Sequence, residues 1–173
     1  MKRIRLKWTI LATATALISS LGLTSSIAFA KQTTLNIGMA SADAGKLDPH
    51  IATTTPDKGL LHWMFNGLVR IKPGQSNPGL IEPDIATSWT TSDDGLTWVF
   101  TMRENVDCHG DYGNLDAEDV VFSLGRSSNK DQSSFSGDFA AFKSIEATGD
   151  YEVTITLSNP IPSLLGTLVA YHC

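Results

Sequence analysis

The sequence predicts a mixed α/β domain in which short helices and short strands alternate along the chain. Apolar residues recur at helical spacing over residues 60–68 and again over residues 120–124. Two pairs of strand-like segments flank the turn-forming residues 92–95 and 149–150. No internal repeat or low-complexity tract interrupts this order. Together these observations favour an α/β or α+β fold with short connections.

The first predicted elements are a strand, a loop and a helix. Residues 34–39 alternate between apolar and polar side chains, which is typical of a strand with one buried face. Residues 40–55 are rich in small and polar residues and predict a loop. A helix is expected over residues 57–66, because Pro56 suits its first turn and Gly67 its end.

A strand at residues 68–71 and a β-hairpin over residues 88–102 are predicted next. Gly95 lies where the hairpin turn needs a residue that tolerates a positive φ angle. Trp89 and Trp98 fall on the two strands of this hairpin. We expect them to pack across the hairpin or into the core beneath it.

The last third of the chain predicts a helix, a second hairpin and a final helix. Asp116 can cap a helix whose first turn holds Glu118 and Asp119. These two acidic side chains interact favourably with the positive end of the helix dipole. Residues 143–157 form the second hairpin around Gly149 and Asp150, and Ser163 begins the last helix after two prolines.

Residues 1–30 have the pattern of a cleavable export signal. Four basic residues precede an uncharged apolar run at residues 8–23, and Ala28-Phe29-Ala30 is the small-x-small pattern that signal peptidase accepts. We therefore predict cleavage after Ala30 and a product that is periplasmic, without direct membrane insertion. The alternative is an uncleaved signal anchor. No Cys lies near the cleavage site, so a lipid anchor on a new N-terminal Cys is not expected.

The mature chain, residues 31–173, forms one predicted domain of acidic character. It keeps nine basic and all 18 acidic residues, a formal net charge of −9. Such a surface repels nucleic acid and anionic lipid, and no basic stripe with aromatic residues is present in the sequence. A nucleic-acid-binding function is therefore excluded.

Two cysteines and their neighbouring histidines are candidates for a disulfide or a metal site. Export would expose Cys108 and Cys173 to an oxidising compartment, where a bridge is chemically allowed. Two unpaired thiols are the alternative. Cys108-His109 and His172-Cys173 contain zinc-ligand types, but adjacent ligands are strained around one ion. We expect neither a metal nor another cofactor.

No motif in the sequence predicts catalysis. The nucleophile-elbow, zinc-protease and phosphate-loop patterns are all missing from the sequence. The acidic pairs Asp93-Asp94 and Glu118-Asp119 are explained by a hairpin turn and by a helix start. The sequence therefore predicts a protein that is not an enzyme and has no catalytic residues.

Five segments in order resemble the N-terminal lobe of family 5 extracellular solute-binding proteins, which deliver peptides, nickel chelates and related solutes to ABC importers. The segments cover nearly everything after residue 31. They are Leu47-Asp48-Pro49-His50, Gly67-Leu68-Val69, residues 82–89 (EPDIATSW), residues 92–103 (SDDGLTWVFTMR) and residues 117–124 (AEDVVFSL) followed by Arg126.

The resemblance implies an incomplete two-lobed periplasmic-binding-protein-like fold, of which this chain supplies an N-terminal subdomain. It implies a monomer that binds a peptide or another small solute and presents it to membrane permease subunits of an ABC importer. By resemblance, Thr53, Thr54 and Thr55 lie near the ligand pocket, while Phe139 and Tyr171 form an apolar wall. Helix capping by the threonines and core packing by the aromatic residues are the alternatives.

Two departures from the family pattern carry consequences. The segment from Cys108 to Asp116 has Cys at a position that is usually aromatic, and it holds one extra residue. Family members are also several times longer, so a cleft between two lobes would have at most one wall here. The alternative function is a free-standing exported structural or protein-interaction domain without solute binding.

Overall fold

The structure is a computed structural model that describes residues 34, 36–39, 43, 45–77 and 79–170 of the 173-residue chain. The chain divides into two compact units, residues 1–38 and residues 39–173. All described helices and strands lie in the second unit. A strand is predicted at residues 34–39. This prediction is wrong for the described residues of that segment, because none of them belongs to a β-strand.

The centre of the second unit is a four-stranded antiparallel sheet. Its strands are β3 (Ala86–Thr91), β4 (Thr97–Met102), β5 (Phe142–Gly149) and β6 (Glu152–Leu157). Their order in the sheet is β3-β4-β6-β5, so each predicted hairpin forms one half of the sheet and β4 pairs with β6 at the centre. Both hairpins are therefore confirmed.

The turn between β3 and β4 is fixed by hydrogen bonds from its own residues. The Asp94 carboxylate accepts the Ser92 hydroxyl at 2.5 Å and the Leu96 backbone N–H at 3.0 Å. Gly95 has a φ of 69°, the left-handed conformation that glycine adopts without steric cost. The short polar residues of the predicted turn thus set the register of the two strands that follow from it.

One face of the sheet carries the hydrophobic core. Phe100 on β4 is fully buried, and the rings of Trp89 and Trp98 lie with their centroids 6.4 Å from its ring. This confirms the predicted core packing of both tryptophans. Along β6, alternate residues are buried, as the period of two requires for a half-buried strand. They are Val153, Ile155 and Leu157.

Helix α2 (Ala117–Ser128) covers this inner face and contacts both β5 and β6. Val120 and Leu124 are fully buried on the side of the helix that belongs to the core. Asp116 accepts the backbone N–H groups of Glu118 and Asp119, and the Asp119 side chain accepts the Asp116 N–H in return. This capping box confirms the predicted start of the helix.

The remaining elements surround the sheet. Helix α1 (Thr55–Met64) starts and ends two residues earlier than predicted. Strand β1 (Val69–Ile71) pairs with β2 (Ile81–Pro83), a strand that the sequence pattern did not predict. A 3₁₀ turn at Ser136–Phe139 precedes β5, and helix α3 (Leu164–Ala170) packs against β1. Within the described part of the chain, no helix is both long and apolar enough to cross a membrane.

The predicted role of Gly67 as the end of α1 is wrong. The helix ends at Met64, and its cap, Phe65, has an extended conformation. Gly67 instead lies against the last turn of α3, where an added Cβ would come within 2.9 Å of the Leu168 carbonyl oxygen. Glycine is required here because the backbones of two elements approach closely.

We expect Gly67→Ala to destabilise the fold by about 1–3 kcal/mol, because overpacked backbone contacts cannot yield as a side chain does. Gly166→Ala on α3 is the matched control. No heavy atom lies within 4 Å of its added Cβ, so better helix propensity should stabilise the fold by up to about 1 kcal/mol. Urea unfolding followed by circular dichroism measures both, and an equal effect of the two changes would contradict the packing role of Gly67.

Candidate functional site

The loop over residues 45–54 is tied to α2 by an ion pair. Arg126 in the last turn of α2 donates from Nη1 to Asp48 Oδ1 at 2.8 Å and from Nη2 to Asp48 Oδ2 at 2.5 Å. Two parallel N–H···O contacts make the pair bidentate, which fixes the orientation of both groups. The two residues are 78 positions apart, so the pair joins distant parts of the chain.

His50 extends this contact into the interior. Its side chain is buried, and its Nδ1 lies 2.6 Å from Arg126 Nη1. Because a guanidinium only donates hydrogen bonds, Nδ1 is the acceptor, and in the neutral ring Nε2 carries the proton. That Nε2 faces the Ser123 hydroxyl at 3.4 Å. The backbone carbonyl of His50 also accepts the Ser134 N–H at 2.9 Å, so the loop is held at two points.

The ion pair changes the titration of Asp48. The hydrogen bond from Arg126 lowers the pKa of this carboxyl from 3.8 to about 2, although partial burial opposes the change. Since the folded-state pKa is below the ordinary value, the pair stabilises the fold fully above pH 3.8. This stabilisation is lost as the pH falls through about 2.

A second carboxylate holds the other side of the loop. Asp57 in the first turn of α1 accepts the backbone N–H groups of Gly45 at 2.9 Å and Lys46 at 3.2 Å. The contact with Lys46, followed by that with Gly45, lowers the pKa of Asp57. An added Cβ at Gly45 would lie 2.8 Å from the Asp57 carboxylate, so the close contact requires glycine.

The three threonines that were predicted to contact a ligand lie at the N-terminal end of α1. All three are exposed. Thr54 is the N-cap of α1, and its hydroxyl accepts the Asp57 N–H at 3.3 Å. Capping is thus the role that the structure shows for Thr54. Ligand contact by Thr53, Thr54 and Thr55 stays a prediction, favoured by hydroxyl groups beside the positive end of the helix dipole.

Of the other predicted site residues, Phe139 and Cys108 lie in the described part of the chain. Phe139 is 3% exposed and packs against Phe142, with ring centroids 4.9 Å apart. Tyr171 and Cys173 lie outside the described residues. Cys108 forms no disulfide with another described residue, and burial together with nearby carboxylates raises the pKa of its thiol. The apolar wall and the disulfide stay predictions.

The segment that departs from the family pattern forms a compact loop beside α1. Asp107 and Asn114 pair across this loop, and Gly110 and Gly113 both have positive φ angles. His109 donates from Nε2 to the Met64 carbonyl oxygen at 2.9 Å, because a carbonyl can only accept. This contact caps the C-terminal end of α1. Among the described residues, no group of three or more metal-ligating side chains could hold an ion.

A cleft beside the start of α2 lies elsewhere, and we assign no function to it. It has a volume of about 470 Å³ and includes none of the predicted ligand-contacting residues. The lining residues are Asp116, Ala117, Glu118, Ala147, Thr148, Gly149, Asp150 and Tyr151.

The fold described above recurs in solved structures of solute-binding proteins. The PBP/SBP MoaA from A. tumefaciens R10, in complex with mannopinic acid, is 46% identical with a TM-score of 0.74, and the match covers 77% of this chain and 27% of that chain. DppA from Helicobacter pylori, in complex with the peptide STSA, is 30% identical with a TM-score of 0.64, covering 75% and 29%. The structure therefore matches part of the fold of periplasmic solute-binding proteins.

Sequence comparison identifies the family. The profile of bacterial extracellular solute-binding proteins, family 5 Middle, matches residues 81–173, more than half of the chain. The probable D,D-dipeptide-binding periplasmic protein DdpA of Escherichia coli K12 is 33% identical over 138 residues, 78% of this chain and 26% of the relative. The chain belongs to family 5 of the bacterial extracellular solute-binding proteins. It spans about a quarter of the length of these relatives.

Sequence reasoning did not predict the contact among Asp48, His50 and Arg126. Asp48, His50 and Arg126 all fall in the segments that carried the family resemblance, but nothing in the sequence showed that they meet. The sequence signal for this contact was an Asp before a proline, with no basic partner assigned to it, and an Arg on a helix face. Pairing them required the fold.

Arg126→Ala should destabilise the chain by about 1–3 kcal/mol, because it removes the guanidinium that donates to both Asp48 and the buried His50. Arg70→Ala is the matched control. Arg70 pairs with Glu82 at 2.8 Å, but its side chain is 50% exposed, so its loss should cost less than about 1 kcal/mol.

Urea unfolding at a series of pH values measures both variants. The difference between the unaltered chain and Arg126→Ala should shrink between pH 3.8 and pH 2, as Asp48 becomes protonated. A difference that stays constant over this range would contradict the role of the Asp48–Arg126 pair.

Proposed function

We propose that this chain is part of an exported substrate-binding component of an ABC importer for peptides or related solutes, which binds its solute without catalysis. The observation that carries the proposal is the similarity to a ligand-bound solute-binding protein, at 46% identity over 77% of the chain. A second ligand-bound relative, with the peptide STSA, supports the same class of function. Membrane permease subunits are the proposed partners, and the monomer is the proposed state.

The loop over residues 45–54 is the proposed ligand-facing wall. Asp57 holds it at Gly45 and Lys46, and Arg126 holds it at Asp48, so this part of the loop is fixed before a solute arrives. Preorganisation of this kind lowers the entropic cost of binding. The opposing wall would come from parts of the family fold outside the region that these residues match.

The proposed solute carries a carboxylate. Relatives have been solved with mannopinic acid, with the peptide STSA and with Ni(L-His), and all three ligands contain an acid group. The N-terminal end of α1 offers a partial positive charge and exposed hydroxyl groups, both of which favour an anion. Phe139 and Tyr171 are proposed to line the apolar side of the ligand pocket.

A second candidate is an exported structural or protein-interaction domain that lacks solute binding. The observation that favours it is coverage, since the chain spans about a quarter of its relatives' length.

A single wall does not enclose a ligand. For this reason we expect no peptide binding tighter than about 1 mM by the isolated residues 31–173, and micromolar affinity by calorimetry would contradict the need for a second wall.

Export is proposed on the pattern of residues 1–30. In a bacterial host, the periplasmic product should begin at Lys31, and Ala30→Lys should leave the precursor uncleaved, because signal peptidase requires a small residue there. Intact mass spectrometry of periplasmic and membrane fractions measures the result. Phe29→Ser is the matched control and should be processed normally. Processing of the Ala30→Lys variant at the same site would contradict the assignment.

A segment exchange tests solute binding. In the mannopinic-acid-binding relative, the matching segment is replaced by residues 45–170 of this chain, and mannopinic acid binding is measured by calorimetry. We expect an affinity within about 10-fold of the parent, because one wall of the pocket would be equivalent in both proteins. A hybrid that unfolds cooperatively but binds neither mannopinic acid nor peptides would favour the second candidate.

The same hybrid tests the threonines. Thr53→Val keeps the shape of the side chain and removes its hydroxyl, so a ligand contact should cost about 10-fold in affinity. Thr90→Val on the outer face of β3 is the control and should have no effect. Equal affinities for the two variants would remove Thr53 from the site.

A further inference from the structure

A chemically labile dipeptide, Asn66-Gly67, lies between α1 and β1. It is the single Asn-Gly dipeptide in the sequence, since each of the other six Asn residues precedes a residue that has a side chain. Glycine has no Cβ, so the backbone nitrogen of Gly67 can approach the side chain of Asn66 with little steric hindrance. An Asn followed by glycine is therefore prone to lose its side-chain amide spontaneously.

The fold requires the glycine of this dipeptide. Gly67 is buried, and an added Cβ would lie 2.9 Å from the Leu168 carbonyl oxygen and 3.1 Å from the Val69 carbonyl oxygen. Backbone atoms cannot move aside as the end of a flexible side chain does. The lability of Asn66 thus follows from the close packing of Gly67 and cannot be removed by a substitution at residue 67.

The fold also uses the amide of Asn66. Its Nδ2 donates to both carboxylate oxygens of Asp84, each at 3.1 Å. Asp84 directly follows β2, so this contact ties the segment after α1 to the connection between β2 and β3. A carboxylate at residue 66 could not replace the amide, because an ionised carboxylate only accepts hydrogen bonds.

Backbone hydrogen bonds hold the chain on the C-terminal side of Asn66. The Gly67 carbonyl accepts the Ile85 N–H at 3.2 Å, and the Leu68 carbonyl accepts the Ala86 N–H at 2.9 Å. Loss of the amide requires the Gly67 nitrogen to turn towards Asn66 Cγ, which rotates the backbone between the two residues. That rotation would break these hydrogen bonds, so the folded chain resists the reaction and the unfolded chain does not.

We propose that Asn66 is a site of spontaneous deamidation, which reacts while the chain is unfolded and is protected once the chain has folded. The Gly67 nitrogen attacks Asn66 Cγ, so that an N–Cγ bond forms and the Cγ–Nδ2 bond breaks. The proton lost from Gly67 leaves with Nδ2 as ammonia. Water then opens the cyclic imide and leaves a carboxyl group at residue 66, on a normal or an isomerised backbone. No oxidant or reductant takes part.

Deamidation turns the contact with Asp84 from attraction into repulsion. The new carboxylate would lie where the amide now donates, at hydrogen-bond distance from a like charge. A molecule that is deamidated while unfolded therefore folds to a less stable state. Residue 66 thus records the time that a molecule has spent unfolded. The inference does not depend on solute binding, because it uses only residues around the junction of α1 and β1.

Deamidation of the full chain in a mildly alkaline buffer, with and without guanidinium chloride, tests the protection. Peptide mass spectrometry measures the loss of amide at each Asn. We expect Asn66 to react at least about 10-fold faster in the unfolded chain. Asn114 and Asn129 are exposed like Asn66 but precede Leu and Lys, so they serve as internal controls and should keep their amides. Equal rates at Asn66 in the folded and unfolded chains, or faster loss at either control, would overturn the proposal.

A pair of variants tests the consequence of deamidation. Asn66→Asp has the side chain of the normal-backbone product and should lower the ratio of folded to unfolded molecules by about 5-fold at neutral pH. Adding Asp84→Asn restores one amide and one carboxylate to the pair, so the double variant should recover most of this loss. Urea unfolding followed by circular dichroism measures both. An unchanged stability of Asn66→Asp, or a double variant no more stable than Asn66→Asp alone, would contradict the proposed repulsion.

Discussion

The burial of one sheet face beneath α2 is the constraint on which the rest of the structure depends. Phe100 at the centre of the sheet is fully buried between two tryptophans, and Val120 and Leu124 of α2 complete the same core. Apolar burial of this kind is the largest favourable contribution to folding. It also fixes the position of α2, and therefore of every side chain that α2 presents to the loop before α1.

The loop over residues 45–54 depends on polar contacts more than on apolar packing. Arg126 reaches this loop from α2, and Asp57 reaches it from α1. These contacts are directional, so they determine the loop conformation more narrowly than apolar contacts of equal energy would. A loop held in this way suits a binding surface, because its conformation does not need to be selected when a ligand arrives.

Helix α1 links two surfaces of different chemistry. Its first turn offers hydroxyl groups and a partial positive charge, whereas its last turn presents Trp63 and Met64 to solvent. The loop over residues 107–114 is where the chain departs from the family pattern, and His109 in that loop caps the end of the helix. The departure therefore falls at the C-terminal end of α1, at the opposite end of the helix from the threonines.

The sequence by itself determined the local elements and the family. Gly95 and its polar neighbours predicted the first hairpin, and Asp116 predicted the start of α2, because turns and helix caps depend on residues close in sequence. The five matching segments identified the family for the same reason, since a motif is a local pattern. Alternation alone did not make a strand of the described residues among 34–39, because it does not specify which other segment a strand pairs with.

Only the tertiary structure decided which distant residues meet. It paired Asp48 with Arg126 across 78 positions, placed Gly67 against α3 instead of at the end of α1, and buried Phe139 while leaving Phe122 exposed. Each of these outcomes depends on how separate elements pack in three dimensions. Neither hydrophobic periodicity nor turn chemistry contains that information, because both describe only a residue's near neighbours along the chain.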